Sequence, residues 1–169
     1  MPFTPFHFGP GAAIKAVMPR HFSFTVFCFA QIITDFETGY YFVRGEYPLH
    51  RWVHTYLGAF AVAIFCVLVG RPLCQLALRI WRLWRNAPFK RYFDTNDRIS
   101  VTSATVGAFI GTYSHVFLDS IMHSDVEPLR PFSAQNPLQH IMSWLILHAL
   151  CLILGVVGAL YLSARKTAD

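Results

Sequence analysis

Histidine and aspartate recur at helical spacing near the end of an apolar run that begins about Val101. In the stretch Gly111 to His123, the residues His115, Asp119 and His123 are four apart and share one helix face. An imidazole and a carboxylate one turn apart can ligate one metal ion. A second pair, His50 and His54 in His-Arg-Trp-Val-His-Thr, has the same spacing at the head of another apolar run, a geometry that helical zinc sites use. Asp35-Phe-Glu37 closes a predicted helix, where two acids oppose the macrodipole and ask for a compensating cation. His7 stands alone in a start rich in Pro and Phe.

Each motif also has a plainer reading. Histidines at a membrane–water boundary can simply be solvated. Asp119 can pair with Arg51 or Arg130, or be hydrated at a helix end. Acids that end a helix in water are common. His140 opens the last apolar run as a peripheral ligand candidate, His148 lies deeper and reads as a satisfied core histidine, and His21 maps to the opposite end. The decision rests on whether the chain brings the motifs together.

The 169 residues suffice for one domain over 1–169. They are 54% hydrophobic and 14% charged, against about 25% charged in an average soluble domain. This is the composition of a membrane protein. The sequence predicts an all-α integral membrane helical bundle with spans at about 52–80, 101–122 and 140–163. A shorter N-terminal helical hairpin is expected at about 10–18 and 21–36. No basic n-region, apolar h-region and Ala-x-Ala site opens the chain, so the segments are expected to insert directly. The net charge of +5 sits on the flanks of apolar runs, which fits orientation in a bilayer and argues against a nucleic-acid partner. Cys28, Cys66, Cys74 and Cys151 lie in apolar stretches without a CxxC and read as small buried hydrophobes.

Helix lengths thread the chain through the membrane. With His7 on one side, the hairpin turns near Arg20 and returns Asp35 and Glu37 to the starting side. The long helix leaves from His50, kinks at Arg71-Pro72 and ends in a basic loop at 81–100. The next span returns to His115–His123, a Pro-rich outer loop follows at 124–139, and the last span ends at Arg165. Every Lys and Arg except Arg44, Arg51 and Arg130 falls on the far side, which is cytoplasmic by the positive-inside rule. The outer side then collects His7, Asp35, His50, His54, His115 and Asp119, with His123 as a further candidate. Nitrogen and oxygen donors without cysteine suit a divalent transition metal: zinc first, with manganese or iron as alternatives. There is material for two ions bridged by Asp35 or Asp119. Glu37 or Asp125 offers a general base, and Arg51 or Arg44 a phosphate contact.

An early His, an acidic motif after the second helix, His-Arg-x-x-His-Thr, and Ser-His-x-x-x-Asp before a Pro-rich loop together resemble the predicted membrane-bound metal-dependent hydrolases of bacterial inner membranes. The likeness runs from His7 to about Pro131 and extends distantly to the zinc-dependent phospholipases C, which hold three zinc ions. It implies the ligands His7, Asp35, His50, His54, His115 and Asp119, and an inner-membrane location with the site facing the periplasm or exterior. Two departures stand out. Asp-Phe-Glu replaces the usual Asp-x-Asp, and His54-Thr55 reverses the usual Thr-His order.

The expected activity is metal-assisted hydrolysis of a phosphoester or related bond in a lipid or amphipathic substrate, with the bilayer itself as partner. The alternative is a metal carrier, sensor or scaffold without hydrolytic activity. A transporter would carry polar groups along a path through the bilayer, whereas residues 56–70 and 147–162 are nearly all apolar.

Overall fold

The computed structural model describes residues 5–82 and 98–165, and among them the fold is helical with no strand. A 3₁₀ turn, Pro5–His7, leads into α1, Phe8–Val17. Helix α2 is Phe24–Arg44. Tyr56–Phe65, a π-turn at Cys66–Gly70 and Arg71–Arg82 run on as one helix, α3. Helix α4 is Val101–Met122 and α5 is Trp144–Arg165. The basic segment expected at 81–100 lies mostly outside the described residues.

Helices α2 and α4 form the centre. Gly107 and Gly111 let their backbones meet: a Cβ at Gly107 would lie 2.5 Å from Ser23 O, and one at Gly111 2.9 Å from Ala30 Cβ. Small residues on both faces therefore set the register that puts Gln31 and Asp35 opposite His115 and Asp119. Val26, Ala30, Ala63, Cys66, Ala104 and Ala108 fill the core below this level. Helix α1 packs chiefly on α5. Asn136 Nδ2 donates to Ser120 O at 2.8 Å, and His140 N donates to Ile121 O, so the Pro-rich segment satisfies the open end of α4.

Several boundaries differ from the expectation. The second helix does not end at Asp35–Glu37 but runs to Arg44, where Gly45 (φ 66°) stops it in the left-handed conformation. Both acids therefore sit inside a helix, and the macrodipole argument made for them does not apply. The long helix does not open at His50. Thr55 caps it, its Oγ1 accepting from Gly58 N at 2.9 Å, and residues 50–55 are a turn ahead of it. The kink expected at Arg71-Pro72 takes the form of the π-turn, in which Arg71 N donates to Cys66 O. A ring without an N–H is accommodated by widening the preceding turn.

Two helical stretches, Tyr56–Trp81 and Trp144–Ala164, are long and apolar enough to cross a membrane. The expected third span, 101–122, is long enough but does not join them. Its inner face is spent on Ser103, Gly107, Gly111, Thr112, His115, Asp119 and Ser120, all buried against its neighbours.

Candidate metal centre

The site is built around one carboxylate. Asp119 is 2% exposed and projects from the last turn of α4. Five histidines turn Nε2 toward its oxygens: His115 at 3.1 Å, His54 at 3.5 Å, His7 at 3.6 Å, His123 at 3.9 Å and His50 at 4.0 Å. Asp35 joins from α2, its Oδ1 3.4 Å from His115 Nε2. The structure thus brings all seven expected metal-site residues to one place.

The outward nitrogens explain the orientation. His115 Nδ1 lies 2.6 Å from Gln31 Oε1, and Gln31 Nε2 is itself committed to Gly111 O at 3.2 Å. His50 Nδ1 lies 2.9 Å from Asp125 Oδ1, and His54 Nδ1 lies 3.4 Å from Glu37 Oε2. An acceptor on Nδ1 fixes the proton there and leaves the Nε2 lone pair facing inward. With the proton on Nδ1, three Nε2 lone pairs would converge on an anionic carboxylate that cannot donate to them. Without an ion, burial would lower His115, but Asp119 and Asp35 overcome it and hold the ring up at about 9, so a positive charge, proton or metal, is what this place asks for. Thr38 Oγ1, 3.4 Å from His54 Nε2, is the one hydroxyl beside them among the described contacts. The 3.1 Å approach of His115 Nε2 to Asp119 makes no hydrogen bond, and neither ring nitrogen of the buried His7 has a partner. Buried polar atoms are ordinarily satisfied. A cation among them removes both the lone-pair repulsion and the orphaned atoms, so the donor set fits a metal.

The cluster has two halves. In one, Asp35, His54, His115 and Asp119 are all buried, with ligand atoms within 4.8 Å of one another. In the other, His50, His123 and Asp125 meet the same limit but are more open. His123, just past the end of α4, stacks on His50 with ring centroids 4.5 Å apart. Burial pushes His7 down to about 4, against partial opposition from Asp119, so its ring is neutral and able to ligate at neutral pH. Burial alone would raise Asp125, but the bonds it accepts from the His50 ring and from His50 and Leu49 N–H hold it below the ordinary carboxylate range.

Glu37 Oε2 also accepts from Arg51 N and Val53 N, both at 3.1 Å. It therefore shapes the turn that delivers His50 and His54. Arg51 stacks its guanidinium 3.5 Å from the Tyr41 ring and lines a cleft of about 610 Å³ with His50, Trp52, Asp125 and Arg130. Arg44 is exposed, pairs with Glu46 at 2.6 Å and does not reach that cleft. His140 is exposed and bonds Gln139, away from the cluster. His148 is not a core histidine: it is half-buried, its Nδ1 on Trp144 O and its ring edge-on to Phe6. Sequence reasoning missed Gln31. A signal was present, since Gln31 stands one turn before Asp35 on the same face of an apolar helix.

The chain belongs to a family defined as a domain of unknown function, DUF4184, matched over residues 1–167. No curated protein and no solved structure matches it. The family supplies no activity, so the chemistry of the buried His/Asp cluster carries the functional reading.

Proposed function

We propose that this DUF4184 chain is a membrane-bound, metal-dependent hydrolase acting on a phosphoester or related bond of a lipid or amphipathic substrate at the membrane–water boundary. The observation that carries the proposal is the inward convergence of Nε2 atoms on Asp119, with their Nδ1 atoms anchored outside. A divalent metal, zinc before manganese or iron, supplies Lewis acidity there and lowers the pKa of a water at neutral pH. His7, Asp35, His54, His115 and Asp119 would hold it in the closed half. His50 and His123, beside Asp119 and Asp125, would hold a second ion.

The protein's own groups divide the remaining tasks. Gln31, Glu37 and Asp125 orient the imidazoles. The last two thus act as positioning residues in place of the general bases expected from the sequence. Asp125 also lines the cleft. Arg51 and Arg130 flank the same opening and can hold an anionic group. The orientation we infer puts this opening on the outer face of a bacterial inner membrane, with the basic loop in the cytoplasm.

Elemental analysis of protein purified without chelators is the first test. We expect at least one equivalent of a transition metal, and fewer than about 0.2 equivalents would sink the metal reading. Loaded protein should then hydrolyse chromogenic phosphoesters and labelled phospholipids above an Asp119→Ala background. Bound metal without turnover would support the carrier, sensor or scaffold reading. A Cys beside Arg130 should label from outside, and labelling only from the cytoplasm would reverse the orientation.

A further inference from the structure

The end of the bundle opposite the metal centre carries a surface that the proposed chemistry does not use. The apolar run of α3, Tyr56–Trp81, has 26 residues, against 21 in Trp144–Ala164 of α5. At 1.5 Å per residue these measure about 39 Å and about 32 Å, and a hydrocarbon core is about 30 Å thick. Both runs start at the metal-centre end, where Tyr56 N donates to Pro128 O. The last turns of α3 therefore reach past the hydrocarbon that α5 crosses, into the head-group layer.

Those turns have three faces. Cys74, Leu78 and Trp81 pack on the core. Leu73, Leu76 and Ile80 are exposed. Arg71, Gln75 and Arg79 form a third stripe at four-residue steps. Arg71 Nε donates to Ile99 O at 2.8 Å, which brings the exposed Arg98 to this stripe. Ser23 N donates to Ser103 O at 3.0 Å and holds the turn that carries the exposed Arg20 at the same end. The acids among the described residues are Asp35, Glu37, Glu46, Asp119, Asp125 and Glu127, and all lie at the metal-centre end. None of them can neutralise Arg20, Arg79 or Arg98.

An occupant has to meet a cationic and an apolar face within the same turns. A nucleic acid or an acidic protein would cover the arginines and leave Leu73, Leu76 and Ile80 in water. An uncharged lipid would cover the apolar face and leave the guanidiniums without a counter-charge. An anionic lipid answers both, because its phosphate meets guanidinium and its chains begin where the apolar face does.

We propose that the far end of α3 binds anionic phospholipid, with Arg79 and Arg98 on the head group and Leu73, Leu76 and Ile80 against the first part of the acyl chains. The proposal rests on the membrane reading above and is independent of the hydrolase reading.

The test is native mass spectrometry of the full-length protein in detergent, titrated with phosphatidylglycerol or with phosphatidylcholine. The first phosphatidylglycerol should bind at least about fivefold more tightly than the first phosphatidylcholine. Arg79→Gln and Arg98→Gln should each weaken phosphatidylglycerol about fivefold and leave phosphatidylcholine unchanged. Arg44→Gln, at the opposite end and paired with Glu46, should change neither. Should the far-end variants misfold, the wild-type protein decides the question: its preference should fall as salt rises from about 50 mM to about 500 mM. Equal affinity for the two lipids, or a preference indifferent to both far-end variants, would overturn the surface. A chain that stays in the aqueous phase without detergent would remove the membrane reading and this surface with it. Membrane insertion without a preference would remove the surface alone.

Discussion

The two halves of the cluster are built in different ways. Asp35, His115 and Asp119 stand on two helices whose backbones touch through Gly107 and Gly111, and nothing in that half is more than 8% exposed. His50, His123 and Asp125 stand on a turn, a helix end and a loop, and they border the polar cleft. Closed metal sites hold structure, whereas sites that keep an accessible position do chemistry. The difference suggests a division of labour around Asp119, which both halves share: one half anchors, the other meets substrate.

The strongest challenge to that division is Asp119→Ala. It removes the shared carboxylate and leaves five imidazoles without their common partner. Metal content should fall below about 0.2 equivalents by elemental analysis, in a protein that still folds into membranes. Retention of a full equivalent would place the ion elsewhere.

Next in size are His115→Ala and His50→Ala, which should behave differently if the halves do. His115→Ala should abolish binding of the tightest ion and lower the melting temperature of the loaded protein. His50→Ala should keep that ion and lose turnover. Equal effects on metal content would merge the halves into one site.

A smaller effect is expected from the orienting groups. Gln31→Leu and Glu37→Gln leave every proposed ligand in place, yet each should weaken metal affinity by about 10- to 100-fold, measured by competition with a chromogenic chelator. No change would mean that packing alone aligns His115 and His54. The smallest is Arg44→Ala, which should alter neither metal content nor turnover, since Arg44 faces water with Glu46. Arg51→Ala should raise KM for an anionic substrate while metal content stays constant.

Much of the centre was legible in the sequence because its ligands follow helical spacing and the alternating direction of successive helices decides which of their ends lie together. His115 and Asp119 are the clearest case: the same four-residue step that suggested them places them 3.1 Å apart. The pair His50 and His54 reached the site by another route. Their spacing suggested a helix, but Glu37 accepts two backbone N–H groups and folds the segment into a turn instead. Such a contact spans 14 and 16 residues, and no local periodicity encodes it. The extent of α2 was misjudged for a related reason. Asp35 and Glu37 looked like a polar terminus, whereas Glu37 accepts from the turn at Arg51 and Val53, Asp35 faces His115 on α4, and the helix continues past them. The third span failed as a hydropathy signal because α4 uses its polar face inside the bundle.

The attachment of α5 has a consequence for the whole molecule. This helix barely touches α4 and rests mainly on α1, and His7, which caps the start of α1, reaches the cluster. An ion held by His7 would therefore double as a fastener for a helix more than 30 residues downstream of Asp119 at its far end. By linkage, whatever loosens α5 must weaken the grip on the ion, and removing the ion must loosen α5 by the same free energy. Bilayer thickness or lateral pressure acting on α5 would then be felt as a change in metal affinity.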